Sequence, residues 1–144
     1  MPQTQKHYYH GSSERLEIGT ILLPRANEYE ADWKDTDFYA ILETYRPPEM
    51  LAHKDAVFLC DNEDDIDCAG GATDWLFTVV PTSDRIEKHD LNWGSEISGL
   101  VGPEQDNQDI EQAAINYWAG IPHYNESVWE YLTPAARIIA VNKY

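Results

Sequence analysis

The run Trp75-Leu76-Phe77-Thr78-Val79-Val80 constrains the fold of this chain more than any other stretch. It combines aromatic and β-branched residues, which are enriched in strands, and Pro81 ends it before a polar turn. The pattern therefore predicts a β-strand that buries at least part of its surface, and the rest of the chain must supply a sheet around it.

Other stretches have the composition of further strands. Asp55–Cys60 is a short apolar run bounded by charges, and Val128–Leu132 and Arg137–Val141 are two strand-like pieces near the end of the chain. Tyr8-Tyr9 reads as a strand that runs out into a loop. Leu16–Leu23 fits a loop or short strand that packs inward.

Two or three helices are expected between these strands, and two of them have a helical pattern of apolar residues. The first runs from near Asp35 to Tyr45, because apolar residues recur there at helical spacing and Pro47-Pro48 ends it. The second is capped by Asp109 and ended by Gly120. Its buried face is formed by Ile110, Ala113, Ala114, Tyr117 and Trp118. The pattern over Ile86–Gly102 is mixed, and no element is assigned to it.

Strands and helices alternate here without the regular βαβ order of a parallel sheet, which predicts an α+β fold. The 144 residues suit a single domain spanning residues 1–144. No apolar run approaches the length of a membrane span, and the first residues lack the apolar core of a secretory signal. Cys60 and Cys68 are too few for a disulfide framework or a four-ligand zinc site, so no metal is expected. These features predict a soluble, cytoplasmic protein with reduced thiols.

The charge balance restricts the partners. The chain has 26 acidic and 10 basic side chains, for a formal net charge of -16. A field of this sign repels phosphate backbones, so direct binding to nucleic acid is not expected. An acidic surface can instead attract a basic protein, or imitate DNA, although an excess of acidic residues also serves solubility alone.

The stretch Tyr9-His10-Gly11-Ser12 is the first candidate for a binding site. An imidazole can bond a ribose hydroxyl, glycine lets a flat ring approach the peptide groups, and serine adds a polar contact. A turn with a solvated histidine is the competing interpretation of the same residues. Two later positions complete the pattern: Phe58 lies inside the second apolar run, and Glu130 begins a third as Trp129-Glu130-Tyr131-Leu132.

This trio, in this order, resembles the His-Tyr-Glu signature of the ADP-ribosyltransferase superfamily, which includes poly(ADP-ribose) polymerases and rifampin ADP-ribosyltransferases. Tyr9-His10-Gly11-Ser12 matches the first motif of that family closely. Ala56–Asp61 resembles the second motif, with Phe58 where the family has tyrosine. Trp129–Leu132 resembles the third motif, and the Trp75–Thr82 stretch is similar to a strand and Pro-Thr turn of the rifampin-modifying group. The resemblance spans nearly the whole chain, through short motifs.

The resemblance implies a split antiparallel β-sheet with a few short helices, and chemistry on NAD as co-substrate. It implies that Phe58 stacks on the nicotinamide, that the Gly11 backbone holds its amide, and that His10 orients a ribose. Tyr9 and Ser12 would complete the NAD-binding stretch. Glu130 would be the catalytic acid, because a carboxylate stabilises the oxocarbenium-like transition state.

Each of these roles has a competing interpretation. Phe58 in an apolar strand also suits plain core, and Glu87 or Glu126 could replace Glu130 as the acid, Glu87 being the better of the two. Arg15 and Arg46 could face the pyrophosphate, but a surface position is the safer expectation for both.

Two functions therefore remain open from the sequence. The first is an enzyme that transfers ADP-ribose from NAD to a protein or nucleic-acid acceptor, with a basic protein surface as the expected acceptor, or to water. The second is a non-catalytic acidic interaction protein on the same fold, such as a DNA mimic.

Overall fold

A computed structural model describes residues 6–24, 37–63, 74–101 and 107–143 of the chain. Two antiparallel sheets and three helices are built from these residues. The first sheet has the strand order β1-β4-β7-β2. Its strands are β1 (Tyr8–Ser12), β2 (Ile21–Leu22), β4 (Trp75–Pro81) and β7 (Ala136–Lys143). The second sheet has the order β3-β6-β5. Its strands are β3 (Val57–Leu59), β5 (Glu87–Asp90) and β6 (Trp129–Thr133).

Three helices form a layer on the second sheet. They are α1 (Asp37–Tyr45), α2 (Leu91–Leu100) and α3 (Asn107–Trp118), and a 3-10 turn at His53–Asp55 precedes β3. The helices contact one another, and their apolar faces meet Leu132 of β6 in one buried cluster. Leu42, Trp93, Ile97, Tyr117 and Trp118 are the large members of this helix-side core.

A second core fills the space between the two sheets. Phe77, Val79 and Ile138 from the first sheet have no exposed surface, and they pack with Leu59 and Tyr131 from the second. Successive side chains of a strand point to opposite faces, so β6 serves both interiors. Tyr131 enters the core between the sheets, whereas Leu132 enters the helix-side core.

The two sheets meet at β1 and β3. The Tyr9 amide donates to the Cys60 carbonyl at 2.8 Å, and the Cys60 amide donates to the Tyr9 carbonyl at 3.0 Å. This bridge is a single antiparallel pair, because β3 and β1 make no further ladder among the described residues. If the bridge is counted as a pairing, the strands β5, β6 and β3 of the second sheet are followed in space by β1, β4 and β7 of the first.

The α+β class expected from the sequence is confirmed, and each strand predicted from an apolar run is present near its predicted position. The first predicted helix ends at Tyr45 as expected, while residues 25–36, before its first described residue, lie outside the described part of the chain. Gly120, with a φ of 71°, follows α3 as predicted. In the described ranges, no helix has the length and apolar character needed to cross a membrane.

Two expectations from the sequence need correction, and the stretch to which no element was assigned gains two elements. Asp109 lies inside the first turn of α3 and is not its cap, since the helix begins at Asn107. Leu16–Leu23 does not pack inward as a unit, because Ile18 and Leu23 are 66% and 63% exposed. The unassigned stretch contains both β5 and α2.

Asp90 joins those two elements. It is fully buried, and it accepts hydrogen bonds from the amides of Asn92 at 3.0 Å, Val128 at 3.1 Å and His123 at 2.8 Å. Burial acts to raise the pKa of this carboxyl, but the hydrogen bonds outweigh it and hold the pKa below its ordinary value. The same side chain thus caps α2 and fixes the segment that precedes β6.

Candidate functional site

His10 occupies the place where β1 and β3 separate. Its Nδ1 donates to the Phe58 carbonyl at 2.8 Å, so the imidazole replaces the backbone ladder beyond the Tyr9–Cys60 bridge. The ring is partly buried and stacks on Phe77 with a centroid distance of 6.4 Å. Because a carbonyl oxygen can only accept, Nδ1 carries a hydrogen in this bond.

Gly11 follows His10 at this junction. Bonding direction alternates along an antiparallel strand, so the Gly11 peptide groups point to the same side as those of Tyr9, toward β3. The register gives Gly11 a partner in β4, Leu76, but none in β3. Ser12 ends β1, where its hydroxyl donates to the Glu14 carbonyl at 2.8 Å and accepts from the Glu14 amide at 3.0 Å.

Phe58 lies on the helix side of β3. It pairs with Leu132 across the ladder, and its ring packs against the helix-side core. The His53 ring meets it edge-on with a centroid distance of 5.6 Å. Phe58 is partly buried, so it is neither a sealed core residue nor an exposed platform.

Glu130 also points to the helix side, and it is almost completely buried, with 2% of its surface exposed. The Tyr117 hydroxyl of α3 donates to its Oε2 at 2.5 Å. Burial raises the pKa of Glu130 to about 7, against the opposing effect of the Tyr117 hydrogen bond. The carboxyl can therefore change protonation state close to neutral pH.

His53 extends this contact. Its Nε2 lies 2.7 Å from the Tyr117 hydroxyl, so Tyr117 joins the imidazole to the Glu130 carboxyl. Burial lowers the pKa of His53 to about 3, with smaller contributions from His89 and Arg46, and the ring is neutral near pH 7. A neutral imidazole, a phenol and a protonatable carboxyl thus form one buried chain.

Glu87, the first alternative acid, lies on β5 and is engaged in structural contacts. Its carboxylate accepts from the Leu51 amide at 3.0 Å and from Arg85 at 3.2 Å. His89 Nε2 is 3.5 Å from Glu87 Oε1, and His89 Nδ1 donates to the Tyr117 carbonyl at 2.8 Å. Burial lowers the pKa of His89 although the Tyr117 and Glu87 contacts act to raise it.

The remaining residues named from the sequence make no described hydrogen bond to this cluster, although the charge of Arg46 acts on His53. Glu126 is exposed, and only its backbone carbonyl has a described contact, which comes from Asn92. Arg15 pairs with Glu17 on the surface, and Arg46 bonds Glu43 and nearby carbonyls. Within the described ranges, no group of three or more His, Cys, Asp or Glu side chains is arranged to hold a metal ion.

Comparison with models of known protein families finds no match, and comparison with curated proteins finds no significant relative. His10, Phe58 and Glu130 come from three neighbouring strands, β1, β3 and β6. Their side chains do not converge on one point: the His10 ring lies between the strands, while Phe58 and Glu130 face the helices.

Sequence reasoning missed three members of the site: His53, Tyr117 and His89. The helical spacing places Tyr117 on the buried face of its helix, which is confirmed, but the spacing does not reveal its hydroxyl contacts. His89 lies in a charged stretch without a strand pattern, although its register places it opposite Glu130. The one available signal was Glu130 itself, because a carboxyl in an apolar strand needs a polar partner from elsewhere.

Proposed function

We propose that this protein is an NAD-dependent ADP-ribosyltransferase. In the reaction, the bond between nicotinamide and the ribose C1′ breaks, nicotinamide leaves with the bonding electrons, and an acceptor nucleophile bonds to C1′. The acceptor would be a macromolecule, and the acidic surface favours a basic protein. Water as the acceptor would make the protein an NAD hydrolase.

One observation carries the proposal: the three short motifs lie on adjacent strands at the junction of two antiparallel sheets. His10 and Phe58 are joined directly by the 2.8 Å hydrogen bond, and Phe58 pairs with Leu132, two residues from Glu130. The motifs are separated by tens of residues in sequence, so sequence proximity does not account for this arrangement. Two antiparallel sheets meeting at β1 and β3 are also compatible with the split sheet that the resemblance implies.

The junction offers suitable groups for NAD. His10, held by its Nδ1 hydrogen bond to the Phe58 carbonyl, lies at this junction, where the resemblance implies that it orients a ribose. The Gly11 peptide groups point toward the β3 side of β1, and because Gly11 is buried, a planar amide could bond them only after neighbouring groups move. Phe58 retains the flat face of the family tyrosine and lacks its hydroxyl.

For this chemistry the Glu130 carboxyl must become accessible to NAD. The Tyr117 hydroxyl already donates a hydrogen bond to Glu130 Oε2, so the proposal requires a ribose hydroxyl to replace Tyr117 at this oxygen. The charged form stabilises positive charge on the ribose, and a pKa of about 7 makes that form available just above neutral pH. We expect the rate of nicotinamide release to rise as the pH increases through 7.

Nicotinamide release from NAD, with and without a cell extract as the source of acceptors, tests the proposal. Glu130→Gln keeps the shape and removes the charge, so turnover should fall by roughly a hundredfold. NAD affinity, measured by calorimetry, should change little, because this interaction develops mainly in the transition state. Phe58→Ala should instead weaken NAD binding by roughly 1 kcal/mol through lost stacking.

Two carboxylates serve as comparisons. Glu126→Gln removes an exposed charge near Glu130 in sequence, and we expect it to leave turnover unchanged. Glu87→Gln tests the alternative acid: if it abolishes release while Glu130→Gln does not, the catalytic acid is Glu87. Absence of release and of NAD binding in the unmodified protein would reject the enzyme altogether.

The burial of Glu130 favours a second candidate function. A carboxyl that is 2% exposed and bonded to Tyr117 also suits a structural role in a non-catalytic acidic interaction protein. That function predicts binding to a basic protein without any consumption of NAD.

A further inference from the structure

A surface cleft of about 530 Å³ lies between α2 and α3. It shares no residue with the site described above, and no basic residue is among its described lining. Its principal side chains are Trp93, Glu96, Leu100, Asp109, Gln112 and Tyr124. The cleft thus combines two aromatic rings with two carboxylates.

The aromatic wall is held in place by hydrogen bonds. Tyr124 stacks on His123 with a centroid distance of 4.2 Å, and both rings lie against Trp93, at 6.0 Å and 4.6 Å. The segment that carries them is fixed twice: Trp93 Nε1 donates to the Ile121 carbonyl at 2.7 Å, and the His123 amide donates to buried Asp90 at 2.8 Å. These aromatic side chains would therefore lose little conformational entropy when a ligand binds.

Glu96 lines the cleft with a carboxylate that has partners on one of its two oxygens. Its Oε1 accepts from the Tyr124 hydroxyl at 2.6 Å and lies 3.1 Å from His123 Nε2. Its Oε2 accepts no hydrogen bond within the described ranges, and the side chain is 23% exposed. The carboxylate is thus oriented by two partners that leave its second oxygen for a donor from outside.

We propose that this cleft binds an arginine side chain presented by a polypeptide partner. A guanidinium can donate to Glu96 Oε2 while its plane stacks on Tyr124, and Asp109 adds a second negative charge. Arginine suits the site better than lysine because it combines planar stacking with several donors. Tyr124 is 78% exposed and extends the contact to the backbone beside the arginine. The net charge of -16 favours a basic polypeptide as the source.

This inference is independent of NAD chemistry, since it concerns a different surface. The test uses the pentapeptide acetyl-Gly-Ser-Arg-Ser-Gly-amide, titrated while the indole N–H signals of the tryptophans are followed by NMR. We expect the Trp93 signal to shift, and the same peptide with neutral citrulline in place of arginine to bind at least fivefold more weakly. No shift of Trp93, or equal binding of the citrulline peptide, would overturn the proposal.

Single substitutions locate the contact. Glu96→Gln should weaken peptide binding about fivefold, and Tyr124→Ala roughly two- to fivefold, as for loss of an exposed cation–π contact. Glu111→Gln is the matched control, because it removes an exposed carboxylate of α3 that does not line the cleft. Equal weakening by Glu96→Gln and Glu111→Gln would show attraction by overall charge and reject the cleft. Tyr124→Ala keeps the test valid if Glu96→Gln folds poorly, since Tyr124 is exposed.

Two further measurements separate the remaining outcomes. Ethylguanidine reproduces the head group alone, and we expect it to bind more weakly than the arginine peptide. Equal affinity would reject a polypeptide partner and assign the cleft to a small guanidine compound. Nicotinamide release by Tyr124→Ala should equal that of the unmodified protein, so failure of the cleft and failure of the NAD site can be distinguished.

Discussion

The two faces of β6 enclose different kinds of interior. Toward the first sheet, Tyr131 packs among apolar side chains such as Phe77 and Ile138, which have no exposed surface. Toward the helices, Glu130 is buried in contact with Tyr117, whose hydroxyl also meets His53. Neighbouring residues of one strand thus enter an apolar core and a buried polar chain.

The difference indicates what each interior does. Apolar burial between the sheets stabilises the fold by removing hydrocarbon from water. Burial of Glu130, His53 and His89 opposes ionisation of all three, and such groups add little stability unless every partner is in place. Perturbed ionisable groups gathered in one place are typical of functional sites. Both interiors contain apolar packing that stabilises the fold, but only the helix side also contains a buried chain of ionisable groups.

The largest expected effect tests the apolar face. Phe77→Ala removes a ring with no exposed surface, and the free energy of unfolding should fall by about 3 to 5 kcal/mol. Urea unfolding followed by tryptophan fluorescence measures the change. Tyr124→Ala, at an exposed position, should alter stability by less than about 0.5 kcal/mol. A loss below about 1 kcal/mol for Phe77→Ala would contradict tight packing between the sheets.

The second prediction concerns the pH dependence of the polar face. The pKa of Glu130 rises on folding from 4.5 to about 7, so the folded protein binds more protons than the unfolded chain in this range. Below pH 4.5 the contribution of Glu130 to the free energy of unfolding is fully present. As the pH rises through 7 this contribution is lost, and the free energy of unfolding falls by roughly 3 kcal/mol in total. Glu130→Gln removes this loss.

Unfolding in urea at pH 5 and pH 8 checks the sign. The stability of Glu130→Gln relative to the unmodified protein should increase toward pH 8. His53 has the opposite dependence, since its pKa is lowered to about 3 and its contribution to stability is lost as the pH falls from 6.5. This contribution is common to both proteins and cancels to first order. If the free energies of unfolding of the two proteins change with pH in the same way, the pKa of Glu130 is not raised in the folded protein.

The third prediction compares two tyrosine hydroxyls. Tyr117→Phe removes the hydroxyl that bonds both the buried Glu130 carboxyl and the His53 imidazole. The free energy of unfolding should therefore fall by about 1 to 3 kcal/mol. Tyr131→Phe removes a hydroxyl that donates to the partly exposed Asp61 at 2.8 Å, and its effect should be under about 1 kcal/mol. Equal effects would mean that the polar chain is no more tightly organised than a surface contact.

The smallest expected effect falls at the junction of the sheets. His10→Ala removes the hydrogen bond to the Phe58 carbonyl, and the protein should lose about 1 kcal/mol of stability. Chemical denaturation measures this loss, with the exposed Ser13→Ala as a neutral control. If His10 binds NAD, affinity should fall as well. A change in stability alone would restrict His10 to joining the two sheets.

The sequence by itself determined where most of the elements lie. Trp75–Pro81 and Trp129–Thr133 form strands because their apolar and β-branched residues match that geometry over a short range. The face of α3 that carries Tyr117 is buried because its apolar residues recur at helical spacing. Local patterns did not reveal β5, since Glu87–Asp90 is charged and its burial depends on distant partners. His89 bonds the Tyr117 carbonyl, and Asp90 bonds amides that follow it by more than thirty residues.

Only the tertiary structure decided which interior each side of β6 meets. Alternation along a strand places Glu130 and Tyr131 on opposite faces, but it does not say which face lies under the helices. The position of α3 over the sheet then brings the Tyr117 hydroxyl to 2.5 Å from Glu130. The Tyr117 hydroxyl occupies one oxygen of the carboxyl, and burial raises the pKa of Glu130 to about 7. Hydrogen bonds and desolvation act over a few ångströms in space, and residues distant in sequence supply the groups that set them.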